Sequence, residues 1–120
     1  MEEEVLFDTA LIEELGDKKS TIIVLGFFLD NSPKDLKELV NSIAEKDLPG
    51  IFKKAHKLKG SLAMLKADTI VAIMEQLEIA SGVEKDLEKA QHLINLFVEK
   101  FGLLQSQLQN EIIKIKSSME

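Results

Sequence analysis

Most apolar residues of this chain recur at spacings of three and four, and strand-like alternation is weak throughout, so helices must build its core. The pattern is clearest near the C-terminus. There Leu87, Ala90, Ile94, Phe97, Phe101, Leu104, Leu108, Ile112 and Ile115 form the seam of an antiparallel bundle. A helix from about Glu84 to Lys116 carries that stripe, and at 1.5 Å per residue it is on the order of 50 Å long. Only two prolines and six glycines interrupt the chain, and no repeat, low-complexity stretch or linker divides it.

Four further segments precede the long one. A short helix is expected from Asp8 to Leu15, with Asp8 or Thr9 near its N-cap and Gly16 ending it. A second segment runs from about Asp17 to Glu45, with Ile22, Leu25, Phe28, Leu29, Leu36, Leu39, Val40 and Ile43 apolar. Pro33 follows Asn31-Ser32 in it, so the helix is either kinked there or restarts with Ser32 as N-cap. A third helix lies between Asp47 and about Leu65, with Pro49 in its first turn, and a fourth runs from near Asp68 to Ser81-Gly82. Only the second segment can match the last in length. Short connections favour antiparallel neighbours. The expected fold is all-α: an up-down antiparallel four-helix bundle with a short extra N-terminal helix, one domain over residues 1–120.

Composition narrows the function. The chain is 45% apolar and 30% charged, which suits a folded globular protein. Without cysteine there is no disulfide or thiolate metal site, and a reducing compartment fits. The net charge of −6 argues against nucleic-acid binding. The longest mostly apolar run, Thr21 to Leu29, is too short to span a bilayer, and Met1-Glu2-Glu3-Glu4 lacks the features of a signal peptide. A cytoplasmic protein is expected, and the acidic start reads as a frayed terminus of a complete small chain. All fifteen basic residues are lysines, so no arginine clamps a phosphate or carboxylate.

The third helix carries the chemistry. Its stripe is Ile51, Ala55, Leu58, Leu62 and Leu65, which at roughly 100° per residue fall within a sector of about 80°. His56 then points about 140° away from the stripe's centre, toward solvent. Gly60, one turn on, lies near the same direction, with Ala63 close by and Phe52 one turn before. Glycine inside a helix costs about 1 kcal/mol relative to alanine. Leaving out a side chain beside His56 clears space for a partner to reach the imidazole. Lys53, Lys54, Lys57, Lys59 and Lys66 fall between Phe52 and Ala67 with no acid among them. Lys59, three residues after His56, is placed to contact a phosphoryl group on the ring and to disfavour imidazolium, leaving a nitrogen able to attack. Each feature alone has a plain structural explanation: a surface histidine, a solvated lysine face, a glycine for close packing. Together they form a more specific constellation.

Ala55-His56-Lys57-Leu58-Lys59-Gly60-Ser61 resembles the signature of histidine phosphotransfer domains, and the resemblance continues through Leu65, Ile70 and Leu77-Glu78. Upstream, Phe28-Leu29 and Asp47 are also similar, so it spans most of the chain from about Asp8 to Phe101. It implies that His56 is a phosphoacceptor in a two-component phosphorelay, with Lys59 stabilising the phosphoryl group and Gly60 giving the partner access. Glu78 matches a position that holds a histidine-orienting glutamate in chemotaxis-kinase-like members, although an ordinary exposed helix acid is the equal alternative. The resemblance further implies a receiver domain or sensor histidine kinase as partner, and a magnesium ion in the receiver rather than in this chain. One departure is Lys66, where the family usually has glycine; Asp68 is then expected to cap the next helix.

Phe52, Lys53, Lys57, Ala63 and Met64 are the expected docking residues, although core packing serves almost as well for Phe52. Phe27, Phe28, Phe97 and Phe101 read as a core tetrad, and His92, with no second ligand at metal-binding spacing, as structural or merely exposed. With no Gly-rich phosphate loop, Ser-His-Asp order or paired-carboxylate motif, no kinase or other self-contained enzyme, cofactor or metal is expected. A monomeric phosphocarrier is the leading reading. The alternatives are an adaptor that binds protein through its lysine face or last helix, and a dimeric bundle.

Overall fold

A computed structural model of the chain describes residues 4–119. It contains five helices and, among the described residues, no strand: α1 (Ala10–Leu15), α2 (Lys18–Ala44), α3 (Leu48–Met64), α4 (Asp68–Gly82) and α5 (Leu87–Ser118). Neighbours in space follow the ring α2–α3–α4–α5, with α5 closing against α2 and α1 lying on α2. This is the expected up-down bundle with its extra N-terminal helix. No described helix is long and apolar enough to cross a membrane.

The core follows the helical periods. All five stripe residues of α3 are buried, and the α5 seam is buried from Ala90 to Leu108. Phe101 packs between Phe97 and Phe28, with ring centroids 5.5 and 6.3 Å away. The helices differ in length, with 17 and 15 residues in α3 and α4 against 27 and 32 in α2 and α5. The N-terminus of α2 meets the C-terminus of α5, where Lys18 Nζ donates to Ser118 Oγ at 2.9 Å. The molecule is 50 Å along its greatest extent, close to the length of α5.

Several local expectations are corrected. Of the two alternatives at Pro33 the restart is excluded: α2 runs unbroken through it, and Ser32 is buried in the helix. Phe27 is not core: it is 69% exposed, because it lies about 130° from the stripe of Thr21, Leu25, Phe28 and Ser32. α5 starts at Leu87, with Asp86 accepting from the Lys89 amide at 3.0 Å, and it runs on to Ser118. Ala67, not Asp68, is the N-cap of α4, and no side chain caps it. Gly82 does not end α4 in a left-handed conformation; Lys85 takes the positive φ instead, at 54°. Of the acidic start, Glu2 and Glu3 lie outside the described residues, while Glu4 is held by Lys100 at 3.1 Å and by Thr69 at 3.3 Å.

This N-terminal arm closes one end of the short helices. Leu6 and Thr9 are buried, and the Asp8 amide donates to the Leu65 carbonyl at 2.8 Å. At the other end, Asp47 accepts from the Gly50 amide at 3.0 Å and caps α3, with Pro49 in the first turn. These anchors fix the register of α3, and with it the position of His56.

Candidate functional site

His56 lies near the middle of α3 with its side chain 67% exposed, as its angle from the buried stripe requires. The ring is nevertheless tethered. Its Nδ1 lies 3.1 Å from Oε2 of Glu78 on α4. Glu78 is only 13% exposed, which removes the alternative of an ordinary solvated acid. Its other oxygen, Oε1, lies 2.8 Å from Lys59 Nζ. One carboxylate thus bridges the imidazole and the lysine one turn further along α3.

The charge states follow from this contact. Burial alone would raise the Glu78 carboxyl, but the hydrogen bonds from Lys59 and His56 outweigh it and hold the group below its ordinary value. The hydrogen bond to Glu78, against some desolvation, raises the Lys59 ammonium above its usual value. An ionised carboxylate has no proton to give, so Nδ1–H must be the donor. In the neutral ring this tautomer leaves the lone pair on Nε2, on a side chain that is 67% exposed.

The surroundings leave the ring accessible. A Cβ built on Gly60 would meet nothing within 4 Å, so this glycine does not serve close packing. Phe52 is 40% exposed and stacks nearly parallel to the His56 ring, with centroids 6.2 Å apart and an interplanar angle of 8°. A Cβ on Gly82 would lie 2.8 Å from the Phe52 ring, so that glycine lets the ring rest on the last turn of α4. Phe52 is therefore partly exposed and partly packed.

The lysine face is less bare than the α3 sequence suggests. Lys57 pairs with Asp35 of α2 at 2.9 Å, and Lys54 pairs with Glu38. The Lys57 ammonium is raised by the Asp35 hydrogen bond, and the Glu38 carboxyl is lowered by that of Lys54. Lys53, Ala63 and Met64 are exposed, and Lys53 makes no ion pair among the described residues. His92 is exposed on α5 beside Lys89, away from α3.

Sequence reasoning missed an apolar groove between α2 and α3. It measures about 310 Å³ and is lined by Val24, Phe27 and Phe28 on one side and Leu58, Met64 and Leu65 on the other, with Lys57 and Ser61 at its rim. The signal was available in the angular position of Phe27 off the α2 stripe. Asp35 was also missed, and only the pairing of α2 with α3 could reveal it.

The helical ring and the exposed, carboxylate-tethered histidine can be set beside known proteins. The family model of the Hpt domain matches residues 24–117. The chain belongs to the Hpt domain family, and is thus a histidine phosphotransfer domain, a kind of carrier rather than a kinase. It is 29% identical over 90 residues to the phosphorelay intermediate protein rdeA of Dictyostelium discoideum, a match that covers 75% of this chain. The match spans only about a third of that relative's length, 34%. The fold is similar to the crystal structure of histidine-containing phosphotransfer protein B from Pseudomonas aeruginosa PAO1, with a TM-score of 0.83. At 18% identity, that likeness covers 93% of this chain and 98% of the other.

Proposed function

We propose that this chain carries a phosphoryl group on Nε2 of His56 as an intermediate in a two-component phosphorelay. In the first step Nε2 attacks the phosphorus of a receiver's phosphoaspartate, or of the phosphoryl donor of a histidine kinase. The P–N bond to His56 forms as the bond to the donor breaks. In the second step the carboxylate of another receiver's aspartate attacks, and His56 regains its free Nε2. The observation that carries this reading is the ring itself: largely exposed, with Nδ1 held by Glu78, which leaves Nε2 for the phosphoryl group.

The other site residues have supporting parts. Glu78 fixes tautomer and ring orientation. Lys59, held by Glu78, is the cation one turn after His56 that a phosphoryl group can draw on. Gly60 leaves a clear approach. The receiver docks over Phe52, Lys53, Lys57, Ala63 and Met64, and its apolar surface enters the groove between α2 and α3, where Phe27 and Met64 are exposed. The acidic balance of the chain favours a protein partner over nucleic acid. The magnesium ion belongs to the receiver, and the domain works as a cytoplasmic monomer without a nucleotide site of its own. The rdeA relative, a phosphorelay intermediate by name, supports this role.

The test is to mix the domain with phosphorylated receivers and follow label onto it. Acid-labile, base-stable phosphate is expected on the wild-type chain and none on His56→Gln. Because His56 is exposed, that variant should melt within about 0.5 kcal/mol of wild type. Label that survives in His56→Gln overturns the assignment, and binding without any transfer favours an adaptor.

A further inference from the structure

Glu78 and an incoming phosphoryl group make competing demands on Lys59. The ammonium lies 2.8 Å from Glu78 Oε1, and that oxygen is buried with no other partner among the described residues. A phosphoryl group on Nε2 would bring close to two negative charges to the same helical face. Of the other lysines nearby, Lys54 and Lys57 are turned toward Asp35 and Glu38 on α2, while Lys53, three residues before His56, is exposed and makes no ion pair among the described residues. If Lys59 swings to the phosphoryl group, a mostly buried carboxylate loses its counter-charge. If it stays, the phosphoryl group has only the exposed Lys53 on the preceding turn to draw on. Either way the phosphorylated state is weakened relative to a site with a neutral residue at position 78.

We propose that Glu78, by withholding Lys59, biases the equilibrium toward handing the phosphoryl group on, so that this domain acts as a donor to receivers rather than a store. The proposal rests on the phosphocarrier reading and adds a direction to it. Glu78 acts here as a positioning residue, through Lys59. A glutamine at position 78 keeps an oxygen to accept from Nδ1–H but has no charge to hold the ammonium. The orienting role and the withholding role are therefore separable by one substitution.

Phosphoramidate serves as the donor, so that no particular receiver is needed. It reacts with its nitrogen already protonated: Nε2 attacks phosphorus, the P–Nε2 bond forms, and ammonia leaves with the electron pair of the broken P–N bond. Phosphorus NMR then gives the steady occupancy of His56 and, after the donor is removed, the lifetime of the phosphohistidine. His56→Gln identifies any signal from His92. Glu78→Gln is expected to lengthen the lifetime and raise the ratio of phosphorylated to free domain about tenfold, the order expected when one charge-assisted hydrogen bond from Lys59 becomes available to the phosphoryl group. In a Lys59→Ala background the same substitution should change both by less than about twofold, since no lysine is left to compete for. Glu78→Ala, which also frees Lys59, should lengthen the lifetime and gives a second readout should the glutamine variant fold poorly.

A lifetime that is unchanged or shorter in Glu78→Gln overturns the proposal. An equal gain without Lys59 overturns it too, because the effect would then be plain repulsion. If wild-type His56 takes label from receivers yet these variants do not separate, the inference fails and the phosphocarrier reading stands. If no receiver labels His56 although phosphoramidate does, the phosphocarrier reading fails and takes the inference with it.

Discussion

Lys66 sits at φ 49° in the turn between α3 and α4, in the left-handed region that favours glycine. Its amide donates to the Ala63 carbonyl at 3.0 Å and the Ala67 amide to Leu62 at 3.1 Å, so the turn is closed in the usual way with a lysine at the strained position. Lys66→Gly should therefore stabilise the domain by about 1 kcal/mol, raising Tm by about 4 °C in a thermal melt. The departure from the family pattern is thus one of local strain, well away from the imidazole. That His56 faces outward was legible from five apolar positions on its own helix. The carboxylate that tethers it was legible only by resemblance, because the contact depends on how α3 and α4 align. The partners of Lys54 and Lys57 were hidden for the same reason: Asp35 and Glu38 lie some twenty residues upstream on α2.

At the scale of elements, two glycines in helical positions have opposite explanations and should respond oppositely to alanine. Gly60 faces open space, so Gly60→Ala should raise stability by about 0.5–1 kcal/mol in urea melts. A larger side chain there, as in Gly60→Gln, should leave stability near wild type but slow transfer from a receiver, read as a lower rate at fixed receiver concentration. Gly82→Ala places a methyl group against the Phe52 ring, so it should lose stability or displace the ring, visible as a shift of the His56 ring protons by NMR. Asp47 caps α3, and Asp47→Ala should cost about 1 kcal/mol. Helix identity and order were readable from apolar spacing, since tertiary packing here reinforces the local period. The start of α5 was not, because Glu84 and Lys85 look helical in isolation and only the Asp86 cap shows where the turn ends. Phe27 was misplaced by residue type, although its angle on α2 already excluded it from the core.

For the whole molecule, the shifted groups define a stability plateau in pH. Glu78 is held below its ordinary value in the fold, so its contribution is present above that value, 4.5, and is lost as pH falls through the depressed one. Lys57 and Lys59 are raised above 10.5; their contributions are present below that value and are lost as pH rises through the raised ones. Chemical denaturation from pH 3 to 11 should therefore show a level middle with a fall at each end, and Glu78→Gln should flatten the acid limb.

The unequal helix lengths divide the bundle into two storeys. The upper one holds all four principal helices and the imidazole; the lower one is left to the far halves of α2 and α5, closed by α1 and the N-terminal arm. A storey of two helices opens more readily than one of four. Amide exchange should thus begin around residues 104–118 while the Leu58 and Leu62 amides stay protected. The His56 ring would then stand on the slow-exchanging storey, and loosening at the foot of the molecule would leave its aim undisturbed.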